Sequence, residues 1–201
     1  FADMLKGKDA YIATGSDNSS RYFDYYFGKF PHIIRKNRTS LAVLDGLENG
    51  EDYKALAFDI FQYFGLGCRN VSKLYVPEGY NFDSFFKAMY VWNPIINQAK
   101  YANNYDYNKA VYLMSLSKLL ENGFLILKED ENFGSPIATL FYETYSDPDS
   151  LKQKLEEKRE AIQCIVGNNG FEGAVPFGMT QQPQLWDYAD NVDTLEFLSK
   201  L

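Results

Sequence analysis

The sequence predicts an α/β fold of three layers (α/β/α), with a largely parallel sheet covered by helices on both faces. Three observations carry this expectation. Apolar runs such as "TSLAVLDG" and "AIQCIVG" continue without polar alternation and stop at glycine, the pattern of strands buried on both faces. Other segments repeat their apolar residues at helical intervals. The two kinds alternate along the chain, which is how a parallel sheet is threaded. With 201 residues, 46% of them apolar, there is enough material for one sizeable core.

Taken in order, "DAYIATGS" is a short strand that breaks at Gly15 and Ser16. "DNSSRYFDYYFGKF" follows with helical spacing, Tyr22, Phe23 and Tyr26 on one side. "TSLAVLDG" is a buried strand ending at Asp45-Gly46. From Glu51 to Phe64 the residues Tyr53, Leu56 and Ile60 recur at helical intervals, with Gly65 as the stop. "SKLYVPEGY" is a strand and turn. The stretch from Asp83 to Gly123 holds at least two helices, divided by Pro94 and ended by Asn122-Gly123. "FLILKED" and "SPIATLFYETY" are strands, and Asp147-Pro148 opens a charged helix, since proline suits the first helical position. "AIQCIVG" is the last strand. The expected division is a thiol-bearing domain over 1–170 and an extended tail over 171–201.

Composition excludes several classes. A net charge of -7 argues against nucleic acid and against an anionic membrane surface. No apolar run approaches the roughly 18 residues of a spanning helix. Two cysteines allow one disulfide at most, which suggests a reducing, cytoplasmic setting. The opening "FADMLKGKDA" has no signal-peptide core and reads as cut from something longer. His32 is the only histidine, so a metal site is not expected.

The stretch with the most chemistry is "GLGCRNVSK", residues 65–73. Glycines beside Cys68 allow a tight turn and close approach of a substrate, and turn amides suit an oxyanion. Arg69 would favour the thiolate if it lies near the sulfur. A buried cysteine at a helix-to-strand junction is the alternative. Cys164, inside "IQCIV", is structural. "ATGSDNSS" places Gly15 and Ser16 at a helix N-terminus, suited to phosphate or ribose or simply to capping. In "EDENFGSP", Glu131 and Phe133 are either a solvated turn or a carboxylate for ribose hydroxyls with an aromatic face for a ring.

In this order the pieces resemble the aldehyde dehydrogenase superfamily, most closely its acyl-CoA reductase branch, related to the fatty-acid reductase of bacterial luminescence. "YIATGS" resembles the family's strand end near the cofactor. "FGLGCRNVSKLYVPEGY" resembles the segment with the nucleophilic cysteine. "ENFGSPIATLFY" is similar to the glutamate-x-phenylalanine-glycine-proline motif, and "VPFGMTQQPQLWDYADNVDTLEFL" resembles the closing segment. The resemblance covers nearly the whole chain. It implies Cys68 as nucleophile, and Gly15, Ser16, Glu131 and Phe133 as contacts to NADPH or NADH.

Two departures shape the expected function. Where hydrolytic family members carry a general-base glutamate, this sequence has "HIIRKNRTS", without a carboxylate. Without a base to activate water, exchange with coenzyme A is favoured over release of a free acid. The family's nucleotide-binding half is also not in this sequence, so the chain is expected to be a catalytic-domain fragment that meets that half as a partner. The implied reaction is reduction of acyl-CoA to aldehyde through an acyl-cysteine, with a homo-oligomer left open. A non-catalytic, aromatic-rich carbohydrate- or ligand-binding module is the alternative, suggested by "YVWNPIINQAKYANNYDYN".

Overall fold

The structure, a computed structural model, describes residues 5–167, 170–171 and 173–201. The first four residues of the opening segment, and residues 168, 169 and 172 of "NNGFEG", lie outside the described residues. Two compact units are present, Arg38–Gln182, and the described part of Phe1–Asn37 together with Pro183–Leu201.

The larger unit is built on a six-stranded sheet. Its strands are β3 (Thr39–Val43), β4 (Val71–Pro77), β5 (Leu119–Glu121), β6 (Ile126–Glu129), β7 (Thr139–Tyr145) and β8 (Ile162–Val166), in the order β5-β6-β7-β4-β3-β8. All neighbours pair in parallel except β5 and β6. Alternate residues serve opposite faces, as the pleat requires. Ala42, Leu44, Leu74, Val76 and Val166 pack beneath three helices: α2 (Gly50–Phe61), α3 (Asp83–Met89) and α4 (Ala99–Met114). Leu41, Val43, Tyr75 and Ile165 face α5 (Pro148–Glu157) through Leu151 and Leu155. This is the expected α/β fold with a mostly parallel sheet between helices.

Capping explains where the helices start. Asn49 accepts from the Glu51 and Asp52 amides while Asp52 accepts from the Asn49 amide, a reciprocal box that fixes the first turn of α2. Asp147 does the same service for α5 through the Asp149 and Ser150 amides. Pro94 interrupts the region between α3 and α4 as a 3-10 stretch, Tyr90–Asn97.

One boundary differs from expectation. The helical segment read as ending at Asn122-Gly123 ends at Met114, and Leu119–Glu121 is an edge strand. Asn122-Gly123 is instead the turn of a hairpin. The Asn122 side chain accepts from the Phe124 and Leu125 amides at 3.3 and 3.0 Å, and Gly123 takes φ +90.

The smaller unit contains β1 (Tyr11–Thr14), α1 (Asp17–Phe27) and β2 (His32–Arg35), a parallel pair with a helical crossover, and α6 (Thr194–Ser199). Strand β2 is additional to the elements read from the sequence. Among the described residues no helix is long and apolar enough to cross a membrane, and no group of three or more His, Cys, Asp or Glu side chains could hold a metal ion.

Candidate functional site

The residues leading to Cys68 depart from regular backbone immediately after α2. Tyr63, Phe64 and Gly65 take φ of 55, 62 and 72, three left-handed residues in succession. For the two aromatic residues this costs of order 1–3 kcal/mol each, so the surroundings must hold them there. The chief restraint is Asn70, buried at 3% exposure. Its Nδ2 donates to the carbonyls of Asp59 and Gln62, each at 2.9 Å, satisfying acceptors that the end of a helix leaves open. Its Oδ1 accepts from the Gly67 amide at 2.8 Å. A Cβ at Gly67 would lie 2.9 Å from that oxygen, so glycine is required by the approach of a side chain that cannot retreat.

The Asn70 amide donates to the Gly67 carbonyl at 3.0 Å, closing a β-turn with Cys68 and Arg69 at its centre. Central amides of such a turn point outward. Among the described residues neither the Cys68 nor the Arg69 amide has an acceptor. The Cys68 side chain is exposed and its thiol is free. An exposed sulfur beside two unspent N–H groups can form a bond to a carbonyl carbon and stabilise the charge that develops on its oxygen.

Sheet irregularities secure this turn from below. Ser40 faces an extra residue on both neighbours: Ser72 on β4, and the pair Gln163 and Cys164 on β8. The fully buried Ser40 hydroxyl donates to the Cys68 carbonyl at 2.9 Å and accepts from the Cys164 amide at 3.1 Å. Cys164 itself is buried, and burial pushes its thiol pKa up against the opposing pull of Arg69. It is the structural cysteine of the pair.

Arg69 reaches a different partner from the sulfur. Its Nε donates to the Thr180 carbonyl. The Thr180 amide and hydroxyl donate to the fully buried Asp59 carboxylate at 3.1 and 2.8 Å, joined by the Gly178 amide at 2.6 Å. Burial raises the Asp59 pKa, and these donors and Arg69 oppose the shift. Residues 178–180 of "VPFGMT" are thereby fastened to α2 and to the turn.

Glu131 and Phe133 occupy the loop between β6 and β7. Two consecutive β4 residues grip that loop on either side of Glu131: the Ser72 hydroxyl donates to the Phe133 carbonyl at 2.9 Å, and the buried Lys73 ammonium to the Asp130 carbonyl. The Cys68 turn and the Glu131 loop are both tied to β4. The Phe133 ring is half-buried against the cluster of Leu41, Val43 and Tyr75. The Glu131 carboxylate is exposed and, among the described residues, has no partner. An acceptor-only group left unengaged fits a sugar diol.

Gly15 and Ser16 belong to the smaller unit. Ser16 caps α1, its hydroxyl accepting from the Ser19 amide at 3.3 Å. A Cβ on Gly15 would come within 2.7 Å of the Ser19 Cβ, so strand-to-helix packing already requires glycine there. His32 is exposed, with Nδ1–H donating to the Phe30 carbonyl at 2.7 Å. The aromatic residues that suggested a binding module are largely packing groups: Trp92 stacks on Phe61 at 5.7 Å between centroids, and Tyr101 and Tyr105 are buried.

Sequence reasoning did not single out Ser40, Asp59, Asn70 or Lys73. Ser40, Asp59 and Lys73 left a signal, a polar or charged residue beside or inside an apolar run, as in "TSLAVL", "LAFDIF" and "SKLYV", whereas Asn70, among polar neighbours in "GCRNVSK", left none.

No family model matches the sequence, and no curated protein does. Solved structures do. A P. syringae AldA indole-3-acetaldehyde dehydrogenase mutant, in complex with NAD+ and IAA, aligns with TM-score 0.58 at 12% identity over 87% of this chain. Staphylococcus aureus AldH in a substrate-bound state aligns at 0.55 and 14% over 74%. The aldehyde dehydrogenase KauB from Pseudomonas aeruginosa aligns at 0.51 and 16% over 72%. The fold is that of aldehyde dehydrogenases. This aldehyde-dehydrogenase-like chain spans 42%, 39% and 37% of the length of those three structures, respectively.

Proposed function

We propose that this chain is the thiol-bearing part of an acyl-CoA reductase, an aldehyde-dehydrogenase-like oxidoreductase that converts an acyl-CoA thioester to an aldehyde. The observation that carries the reading is the Gly67–Asn70 turn, which presents an exposed thiol beside two unspent amides. The Cys68 thiolate attacks the thioester carbonyl, and the Cys68 and Arg69 amides receive the oxyanion. As the carbonyl re-forms, the bond to coenzyme A breaks and its thiolate departs, taking up a proton. An acyl-cysteine remains. A reduced nicotinamide, NADPH or NADH, supplies hydride to that acyl carbon when bound. The tetrahedral alkoxide so formed re-forms its carbonyl as the carbon–sulfur bond breaks, freeing the aldehyde and returning Cys68 as the thiolate.

Several residues support the nicotinamide assignment. Glu131 offers a free carboxylate for ribose hydroxyls, and Phe133 an apolar ring on the same loop. Gly15 and Ser16 are proposed to approach the cofactor from the end of β1. A nucleotide-binding half completes the cofactor site in this reading. Coenzyme A as acyl donor is supported by the stretch from Pro31 to Thr39, which holds His32, Arg35, Lys36 and Arg38 but no carboxylate to activate water.

The test is acylation. Incubated with an acyl-CoA, the protein should release free coenzyme A thiol and gain one acyl group that maps to Cys68, with no gain in Cys68→Ser. Acylation at Cys164, or none at all, would sink the reading. The 201-residue chain alone should not consume NADPH steadily, because hydride transfer needs the cofactor held at near-attack distance.

A further inference from the structure

Lys73 is an interior residue of β4, and its side chain is fully buried. Its ammonium donates to the Asp130 carbonyl and meets the Glu143 carboxylate at 3.2 Å. The exposed Lys154 of α5 holds the other oxygen of that carboxylate. Both ammonium groups stand over the Tyr75 ring, at 5.2 and 5.5 Å from its centre. We propose that Lys73 is a positioning residue for the nicotinamide ribose, its grip on Asp130 setting where the neighbouring Glu131 carboxylate stands. The proposal rests on the nicotinamide assignment above and adds a residue to it.

Three features separate this role from a purely structural one. First, expense: a buried ion pair is a poor source of stability, and apolar side chains of similar volume commonly serve as well or better. On the face of the sheet where Tyr75 packs with Leu41, Val43, Leu151 and Leu155, a methionine at position 73 would fill the space. What it would lack is a donor for a loop carbonyl. Second, aim: the ammonium reaches the residue immediately before Glu131, and the Ser72 hydroxyl reaches the Phe133 carbonyl just beyond it, at 2.9 Å. The rest of Asp130 is engaged as well. Its amide donates to the Tyr142 carbonyl at 3.1 Å, and its carboxylate accepts from Lys128. The Asn132 amide and side chain donate to the same carboxylate at 3.0 and 2.8 Å. Third, release: between these fixed points the Glu131 carboxylate has no partner among the described residues. A loop held on both sides of one free acceptor is preorganised, because its ordering is complete before the ligand arrives.

The experiment uses the 201-residue chain and reduced nicotinamide mononucleotide, which carries the ring and its ribose without the adenosine half. Binding is followed by the fluorescence of the reduced ring. Lys73→Met should weaken it about tenfold, the effect of misplacing one charged hydrogen-bond partner. Glu131→Gln should weaken it at least as much. In the Glu131→Gln background, Lys73→Met should add less than a further factor of about two, because Lys73 acts through Glu131. Should Lys73→Met alone not fold, Lys73→Met with Glu143→Gln removes the unbalanced carboxylate and is read in the same way.

Unchanged binding in a folded Lys73→Met chain overturns the proposal. So does an undiminished effect of Lys73→Met in the Glu131→Gln background, the signature of general loosening. A native chain that takes an acyl group from acetyl-CoA at Cys68, yet does not bind the mononucleotide at millimolar concentration, overturns the proposal together with the nicotinamide assignment. It leaves the acyl-transfer reading standing.

Discussion

The hydroxyl of Ser40 donates to the carbonyl of Cys68 at 2.9 Å, across 28 residues of sequence. It is the link by which strand β3 fixes the backbone of the Cys68 turn. Because the same oxygen accepts from the Cys164 amide, one buried atom references the turn to two strands at once.

Ser40→Ala should therefore destabilise the fold by about 1–3 kcal/mol, the usual effect of leaving buried polar groups unsatisfied. Urea unfolding checks this. A loss below about 0.5 kcal/mol would mean that water takes over both bonds.

Replacing Asn70 with Ala strands the Asp59 and Gln62 carbonyls and the Gly67 amide together. A loss above about 2 kcal/mol is expected. Gly67→Ala, which drives a Cβ against the Asn70 oxygen, should cost about 1–3 kcal/mol. The double substitution should cost less than the sum, since the clash goes when Asn70 is truncated. A double-mutant cycle that is strictly additive would contradict this.

Alkylation separates the two thiols. Brief treatment of the folded protein with iodoacetamide should modify the exposed Cys68 and leave the buried Cys164 intact until denaturant is added. Peptide mapping reads the order. First modification at Cys164 would be incompatible with the burial found here.

Glu143 should give the protein part of its acid sensitivity. Burial favours its neutral form, but the Lys154 and Lys73 ammonium groups outweigh that and hold its carboxyl below the ordinary glutamate value. The folded state thus binds this proton less readily than the unfolded chain. Its stabilising contribution is present above the unfolded value of about 4.3 and is lost as pH falls through the lower, folded value. Thermal unfolding between pH 6 and 3 should fall less steeply for Glu143→Gln than for the native sequence. Identical slopes would exclude the residue from the transition.

Much of the sheet is legible in the sequence because parallel strands buried on both faces read as unbroken apolar runs, as β3 and β8 do. Strand β5 is hidden because "YLMSLSKLLENG" keeps helical spacing past the end of α4, and the break falls at Leu116, a left-handed leucine without a glycine to announce it. Strand β2 is only four residues, too short for periodicity to distinguish it. Cys68, Glu131 and Phe133 could be picked out because they stand in recognisable local patterns. The roles of Ser40 and Asp59 were not legible from their place in apolar runs, because their partners arrive from far along the chain, and Asn70 stood hidden among polar neighbours although its partners are local.

The Asp59–Thr180 clasp has a bearing on the order in which the molecule comes together. The Asp59 carboxylate is supplied with hydrogen-bond donors, and Arg69 is engaged, by residues 178–180, which lie 119 to 121 positions beyond Asp59. On the ribosome, α2 and the glycine turn are made early and must wait, with a carboxylate not yet supplied with donors, until nearly the whole of the larger unit has emerged. Long-range closures of this kind are slow. The clasp that ties α2 and the Arg69 side chain to residues 178–180 is thus among the last contacts of the larger unit to form.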